Sequence, residues 1–163
     1  MASPNFNAKF DCDTWDEKDI TPLEGSTTKI TRTRTERTFT GALDGKSVTE
    51  YTFVYHAVPN AAAPAAKAGG DADAKEAHEG KPGQMVTYNG LMYFKGKAEG
   101  YDSEGELVFT CTGTWGKGGE MKAIGDWVVI PGSGTGGLAG VKEGSGGYVS
   151  TGKTDQPCWV NLA

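Results

Sequence analysis

A chain of 163 residues is long enough to bury a substantial core and short enough to be one domain, since domains typically run to about 100–150 residues. Its net charge of −5, with Arg32, Arg34 and Arg37 interleaved among threonines instead of gathered on one face, excludes nucleic acid as an expected partner, because neutralising phosphates takes a cationic surface. No run of 18 apolar residues is present and the polar start Met1-Ala-Ser-Pro-Asn5 lacks an apolar signal core, so a soluble, cytoplasmic protein with no membrane partner is expected.

The first patterned stretch is Phe6–Trp15, where Phe6, Ala8, Phe10 and Cys12 alternate with Asn7, Lys9, Asp11 and Asp13, the period of a half-buried strand. Thr28–Gly41 is a long threonine-rich strand and Ser47–His56 another, joined by Leu43-Asp44-Gly45-Lys46. Asp-Gly between alternating runs predicts a tight hairpin turn, because a type I′ turn needs positive φ at both central positions. With Asp44 and Gly45 at its centre, residue i faces residue 89 − i. Tyr51, Phe53 and Tyr55 then lie opposite Thr38, Glu36 and Arg34, with Arg32 further along, and Arg37, Thr35 and Thr33 fall on the other side with His56.

Residues 57–84, Ala-, Pro- and Gly-rich and then charged, cannot bury enough surface to order strongly. They are expected to form a long loop with at most a helical turn near Lys75–His78, or else a lid. Strands resume at Met85–Tyr88, Leu91–Glu99, Glu106–Trp115, Met121–Ile130, Leu138–Lys142, Gly146–Thr151 and Cys158–Leu162. Many short strands parted by glycine turns predict an all-β fold, a closed antiparallel barrel of about eight strands, since closure removes exposed edges.

Two phosphate-binding patterns are present in letter but not in context. Gly147–Thr154 spells the P-loop, yet Asp155-Gln156-Pro157 follows and leaves no room for the helix whose N–H groups would hold the phosphates. Gly132–Gly137 satisfies G-x-G-x-x-G, but its continuation is too glycine-rich to open a helix. Cys12, Cys111 and Cys158 are widely spaced without a histidine nearby, so no metal is expected. They read as small buried hydrophobes, with a Cys12–Cys158 disulfide between terminal strands as the alternative.

The 89 − i register puts Arg34 and Glu36 inside among Tyr51, Phe53 and Tyr55. Aromatic walls disfavour a charged carboxylate and raise its pKa toward the range of proton transfer, while a neighbouring arginine holds a developing oxyanion. The plainer alternative is a charge pair on a solvated or subunit-facing sheet. Phe109, Trp115 and Trp127 fall at apolar parity in their strands, Trp115 and Trp127 serving either as core or as a stacking platform for an unsaturated ligand. His56 reads as a rim residue, and His78 has no role.

Asp126-Trp-Val-Val-Ile-Pro-Gly-Ser-Gly-Thr-Gly-Gly-Leu-Ala-Gly140, a β-branched run stopped by proline and a glycine-saturated turn, resembles the signature of the small barrels related to plant allene oxide cyclase, in particular an uncharacterised, mostly bacterial branch. Thr14-Trp-Asp-Glu17, Thr31-Arg32, Thr38–Gly45, Glu50-Tyr51 and Thr112-Gly-Thr114 extend the likeness over most of the chain outside residues 57–84. The resemblance implies a barrel of about eight strands, often a homodimer or homotrimer, with a shaped apolar lumen, no cofactor, and a role in steering cyclisation of an unsaturated oxylipin- or polyketide-like molecule. It makes Glu50 a candidate polar residue in competition with Glu36. Where that branch tends to place a glutamate before an aromatic pair, this chain reads Gly90-Leu-Met92-Tyr-Phe94, implying a more apolar pocket lined in part by Met92 and Phe94. The expected function is a cofactor-free cyclase or isomerase acting on a hydrophobic small molecule, with Glu36, Arg34, Tyr51, Tyr55 and Glu50 as candidate catalytic groups and Arg32, Phe53, Met92, Phe94, Phe109, Trp115 and Trp127 as substrate contacts. The alternative is a non-catalytic carrier or sensor.

Overall fold

The computed structural model describes residues 4–20, 23–58 and 83–163, so the segment read as a loop or lid lies, over residues 59–82, outside the described residues. The described chain is all-β apart from one 3-10 turn at Lys117–Gly119. Its strands are β1 (Ala8–Ile20), β2 (Lys29–Gly41), β3 (Leu43–Ala57), β4 (Gln84–Ala98), β5 (Gly105–Trp115), β6 (Ala123–Val129), β7 (Thr135–Gly136), β8 (Gly144–Ser150) and β9 (Gln156–Leu162). They form one antiparallel sheet in the order β4-β3-β2-β1-β9-β8-β6-β5, and β4 also pairs with β5, so the sheet closes into a ring, with the two-residue β7 attached to β5. Among the described residues no helix is long and apolar enough to cross a membrane.

The ring departs from the sequence reading in three places. Met85–Tyr88 and Leu91–Glu99 are one strand, β4, which runs straight through Asn89 and Gly90 against Thr52 and Tyr51. Leu138–Lys142 is not a strand: Leu138, Ala139 and Val141 donate backbone hydrogen bonds to Thr135, Gly136 and Leu138 in consecutive turns. Most consequential is the β2–β3 register.

Lys29 pairs with Tyr55, Arg34 with Glu50 and Phe39 with Gly45, so facing positions sum to 84 instead of 89. The turn is made at Gly41, whose φ of 99° suits glycine, and β3 starts at Leu43. Asp44-Gly45 is not the turn. It lies within β3 opposite Gly96-Lys97 of β4, and a Cβ on Gly45 would sit 2.2 Å from the Lys95 carbonyl oxygen. Glycine is needed there for close backbone approach. The turn settles at Gly41 because the chain on both sides continues to alternate correctly: Phe39, Leu43, Ser47 and Thr49 are all buried. A slip of five, being odd, exchanges the two faces of β2.

The interior face of β2 is therefore Thr31, Thr33, Thr35, Arg37 and Phe39, all buried, while Arg32, Arg34 and Glu36 are exposed. β1 carries a second parity change, a bulge between Cys12 and Thr14, after which Trp15 pairs with Thr35 and Glu17 with Thr33. An extra residue in one strand sends the following side chains to the opposite face. Phe10, Cys12, Trp15 and Glu17 thus share the inner side of one strand.

The core is packed hardest at one end of the ring, around Phe39, Leu43, Met92, Phe94, Leu107, Phe109, Trp127 and Leu138, each with no measurable exposure. Phe39 meets Phe94 and Trp127 edge to face with centroids 6.0 and 5.7 Å apart. Edge-to-face pairs at this spacing contribute about 0.5–1.5 kcal/mol beyond area burial. The other end, at the level of Val86, Trp115, Ala123 and Ser150, which are successive ladder partners, is not filled in this way.

Candidate functional site

At that second end lies a cavity of about 370 Å³, within the range of small-molecule sites. Phe10, Trp15, Phe53, Val86, Trp115 and Met121 supply apolar walls, and Ser150 at the end of β8 with the exposed turn Thr151–Lys153 forms part of its rim. Two aromatic groups extend inward from these walls. Phe53 lies 5.0 Å from Tyr88, and Tyr51 lies 5.1 Å from Tyr88, ring centre to ring centre.

The deeply buried polar part of the lining is Arg37 with three tyrosines, Ser150, Thr151 and Lys153 lying toward the rim. Arg37 is 5 % exposed and its Nη1 donates to the Tyr51 hydroxyl at 3.1 Å. Its guanidinium lies over the rings of Phe10, Tyr148 and Tyr51, at 4.8, 5.2 and 5.6 Å. The Tyr88 and Tyr148 hydroxyls are hydrogen-bonded to each other at 2.6 Å, and Tyr88 also reaches the Ile124 carbonyl. Glycines make room for both rings: a Cβ on Gly113 would fall 2.4 Å from the Tyr88 ring, and one on Gly125 would fall 2.2 Å from that of Tyr148. Gly113 and Gly125 are cross-strand partners in β5 and β6, so one bare patch of sheet seats the tyrosine pair.

Among the described residues no carboxylate balances Arg37. The ion pairs among the described residues are Lys9–Asp155, Lys18–Asp16, Arg34 with Glu36 and Glu50, and Lys122–Glu120. The Arg37 Nε is buried without a hydrogen-bond partner among the described residues. Rings near a cation return about 0.5–2 kcal/mol each, against an effective desolvation penalty of several kcal/mol for a buried ion. Burial works against the charge, yet the Tyr51 and Tyr148 hydroxyls facing it outweigh that effect and hold the guanidinium protonated above its already high range. Burial likewise pushes Tyr51, Tyr88 and Tyr148 above the ordinary phenol range, so all three keep their protons at neutral pH. The cavity therefore offers hydrogen-bond donors and one buried positive charge, with Lys153 on its exposed rim.

Of the residues singled out from the sequence, Tyr51, Phe53 and Trp115 line this cavity. Tyr55 also faces inward but donates to Glu17, which accepts in addition from Thr31 Oγ1 at 2.8 Å and Trp15 Nε1 at 3.2 Å. Arg34, Glu36, Glu50 and Arg32 do not face the interior: the odd register slip turns Arg32, Arg34 and Glu36 of β2 outward, and Glu50, next to inward-facing Tyr51 on β3, faces outward on either register. There Arg34 pairs with Glu50 at 3.1 Å and Glu36 at 3.8 Å, the plain charge pair weighed as the alternative. Met92, Phe94, Phe109 and Trp127 belong to the packed end and not to the cavity lining. His56 is half-buried on the outer face against Thr87, and the three cysteines are free thiols. Arg37, Tyr88, Tyr148, Trp15 and Glu17 were not singled out. Arg37 had one signal: it is the charged residue sharing a strand face with Thr31, Thr33, Thr35 and Phe39. Among the described residues there is no cluster of histidine, cysteine, aspartate or glutamate of the kind that holds a metal.

The family described as "Protein of unknown function (DUF3224)" matches residues 6–87 and residues 67–162, the two matches overlapping in the Ala/Pro/Gly-rich segment. None of the curated proteins matches the chain.

Proposed function

The chain belongs to the DUF3224 family, whose description assigns no activity, and we propose from the geometry of its interior that it takes a hydrophobic, unsaturated small molecule into the cavity and steers its cyclisation or isomerisation without a cofactor. The observation that carries this reading is the pairing of aromatic walls with a few convergent donors, the general form of a small-molecule site. Arg37 and Tyr51 fix the polar end of the bound molecule. The Tyr88–Tyr148 pair turns one hydroxyl proton from the Ile124 carbonyl to an oxygen on which charge develops, and the rings hold the reactive chain folded. Holding reacting atoms in a near-attack shape is worth roughly 7–11 kcal/mol in favourable intramolecular cases. The ring of eight strands and the likeness of residues 126–140 to allene-oxide-cyclase-like barrels support the same reading, by analogy of fold only. A homodimer or homotrimer belongs to the proposal as well, supported by exposed Leu91, Tyr93 and Val128 on the outer face of β4 and β6; light scattering that returns the monomer mass overturns that part.

A carrier or sensor is the second reading. It is favoured by the lining itself, which among the described residues holds no carboxylate or imidazole to abstract a proton. One experiment separates the two. Protein purified from its own cells is examined by native mass spectrometry, extracted with solvent, and the extracted compound is returned to fresh protein. The enzyme reading expects a product of identical mass and altered chromatographic retention, because cyclisation and isomerisation conserve atoms. Recovery of unchanged compound supports the carrier, and absence of any retained apolar molecule overturns both.

A further inference from the structure

The buried positive charge narrows the class of molecule. We propose that the cavity is built for an aromatic or polyunsaturated monoanion, a carboxylate whose charge is received by Arg37; this rests on the cavity-binding reading above and specifies its ligand. Arg37 lines the cavity, is 5 % exposed, and forms no ion pair among the described residues. A guanidinium carries five N–H donors. Tyr51 accepts one of them, and the Nε–H is buried without a partner. The neighbours that face it are the rings of Phe10, Tyr51 and Tyr148, with Cys12 on the paired position of β1, and burial keeps both tyrosines protonated and neutral.

A neutral ligand leaves that charge uncompensated, and a cation is repelled by it. A dianionic headgroup such as a phosphate monoester brings one charge more than the single buried guanidinium matches, the other cation of the lining, Lys153, lying on the exposed rim. A monocarboxylate joined to a flat or unsaturated body satisfies both halves of the lining at once. Arg37 also explains why the floor of the cavity is tyrosine-rich: the hydroxyls of Tyr51, Tyr88 and Tyr148 supply polar atoms around the carboxylate without competing with its charge.

The test compares 2-naphthoate with 2-naphthamide, which differ in charge and hardly in shape, by calorimetric titration at pH 7 on the wild-type chain and on Arg37→Met. Charge-assisted hydrogen bonding sets the expected preference for naphthoate in the wild type at about tenfold or more. In Arg37→Met the preference collapses to about one while naphthamide affinity holds within roughly threefold, since only the charge term has been removed. Equal binding of acid and amide by the wild type overturns the inference and leaves the cavity reading standing. So does a preference that survives in Arg37→Met. Failure of both probes to bind overturns the cavity reading with it. The wild-type comparison needs no variant, so a poorly folded Arg37→Met still leaves a decisive measurement.

Discussion

Arg34 and Arg37 are three positions apart in β2, and the strand's alternation gives them unlike surroundings. Arg34, half exposed between Glu36 and Glu50, sits in the setting where ion pairs contribute about 0–1 kcal/mol. Arg34→Ala, Glu36→Gln and Glu50→Gln are each expected to change unfolding stability by less than about 1 kcal/mol in urea titrations, and to leave naphthoate affinity unchanged. Arg37→Met removes a buried charge that has no carboxylate partner, and exchanging buried ions for apolar groups is often neutral or stabilising by about 1–4 kcal/mol. Its stability in urea should equal or exceed the wild type's, although it binds naphthoate more weakly; a loss of 3 kcal/mol or so, the cost of breaking a compensated buried pair, would mean that Arg37 is held for structure. The thiols give a pH prediction. Burial pushes Cys111 and Cys158 up to about 12, against about 8.5 in an unfolded chain. A raised folded pKa stabilises fully below the unfolded value, so stability should hold up to about pH 8.5 and fall steadily toward pH 12, as the unfolded chain releases protons that the fold retains. Buried Tyr51, Tyr88 and Tyr148 add to the same decline from about pH 10 upward. Urea titrations at pH 8 and pH 10.5 check the sign, and a thiol reagent at pH 8 should modify half-exposed Cys12 in the native protein but reach Cys111 and Cys158 only on unfolding.

At the scale of elements, β5 and β6 present Gly113 and Gly125 side by side, and the rings of Tyr88 and Tyr148 occupy the space that two side chains would take. Gly125→Ala places a methyl group 2.2 Å from the Tyr148 ring, so the ring must move. Overpacking of this kind costs typically about 1–3 kcal/mol. The expected result is that loss in urea titration, together with weaker naphthoate binding because the hydroxyl pair is displaced; unchanged affinity would separate Tyr148 from the site. These elements also mark how far the sequence could be read. Strand composition was legible because Thr, Val, Tyr and Phe at period two appear directly in β2, β3 and β5, and the ring follows from such strands having no other way to cover their edges. The faces were not legible. Asp44-Gly45 has the local chemistry of a turn, but what decides is the tertiary contact of Gly45 with Lys95 and Gly96 on a strand some 50 residues away, which no local pattern contains. The Asp13 bulge flips Trp15 and Glu17 inward for the same kind of reason. Apolar positions tolerate such errors, since Tyr51 and Phe53 stay inside on either register. Charged positions do not, and Arg37 was exchanged for Arg34 by a slip of five.

For the whole molecule, ring closure is weakest where the chain's first and last strands meet. β1 and β9 share three paired positions, Ala8–Cys158, Lys9–Pro157 and Phe10–Gln156, against eleven between β2 and β3. Side chains reinforce this seam: Asn7 Nδ2 donates to the Val160 carbonyl at 2.8 Å and its Oδ1 accepts from the Val160 N–H at 3.0 Å, and the Cys12 N–H donates to Lys153. The same seam carries the rim of the cavity. Gln156, 7 % exposed, accepts from the Thr151 and Gly152 N–H groups at 2.7 and 3.0 Å and donates to the Thr154 carbonyl, so a single side chain braces the turn that borders the opening. Loops of low local stability are where ligands gain entry. Gln156→Ala removes three hydrogen bonds from that turn while leaving Arg37, the tyrosines and the aromatic walls in place. Losing them from a partly solvated loop costs about 1–3 kcal/mol locally, which should appear as faster amide exchange at Thr151 and Gly152, with strands β2 to β5 unaffected. If this turn is the gate, stopped-flow traces with naphthoate should show association and dissociation accelerated together, by about tenfold, with Kd changed less than about threefold. Accelerated amide exchange without any change in either rate constant would place the ligand's route elsewhere, between strands away from the seam.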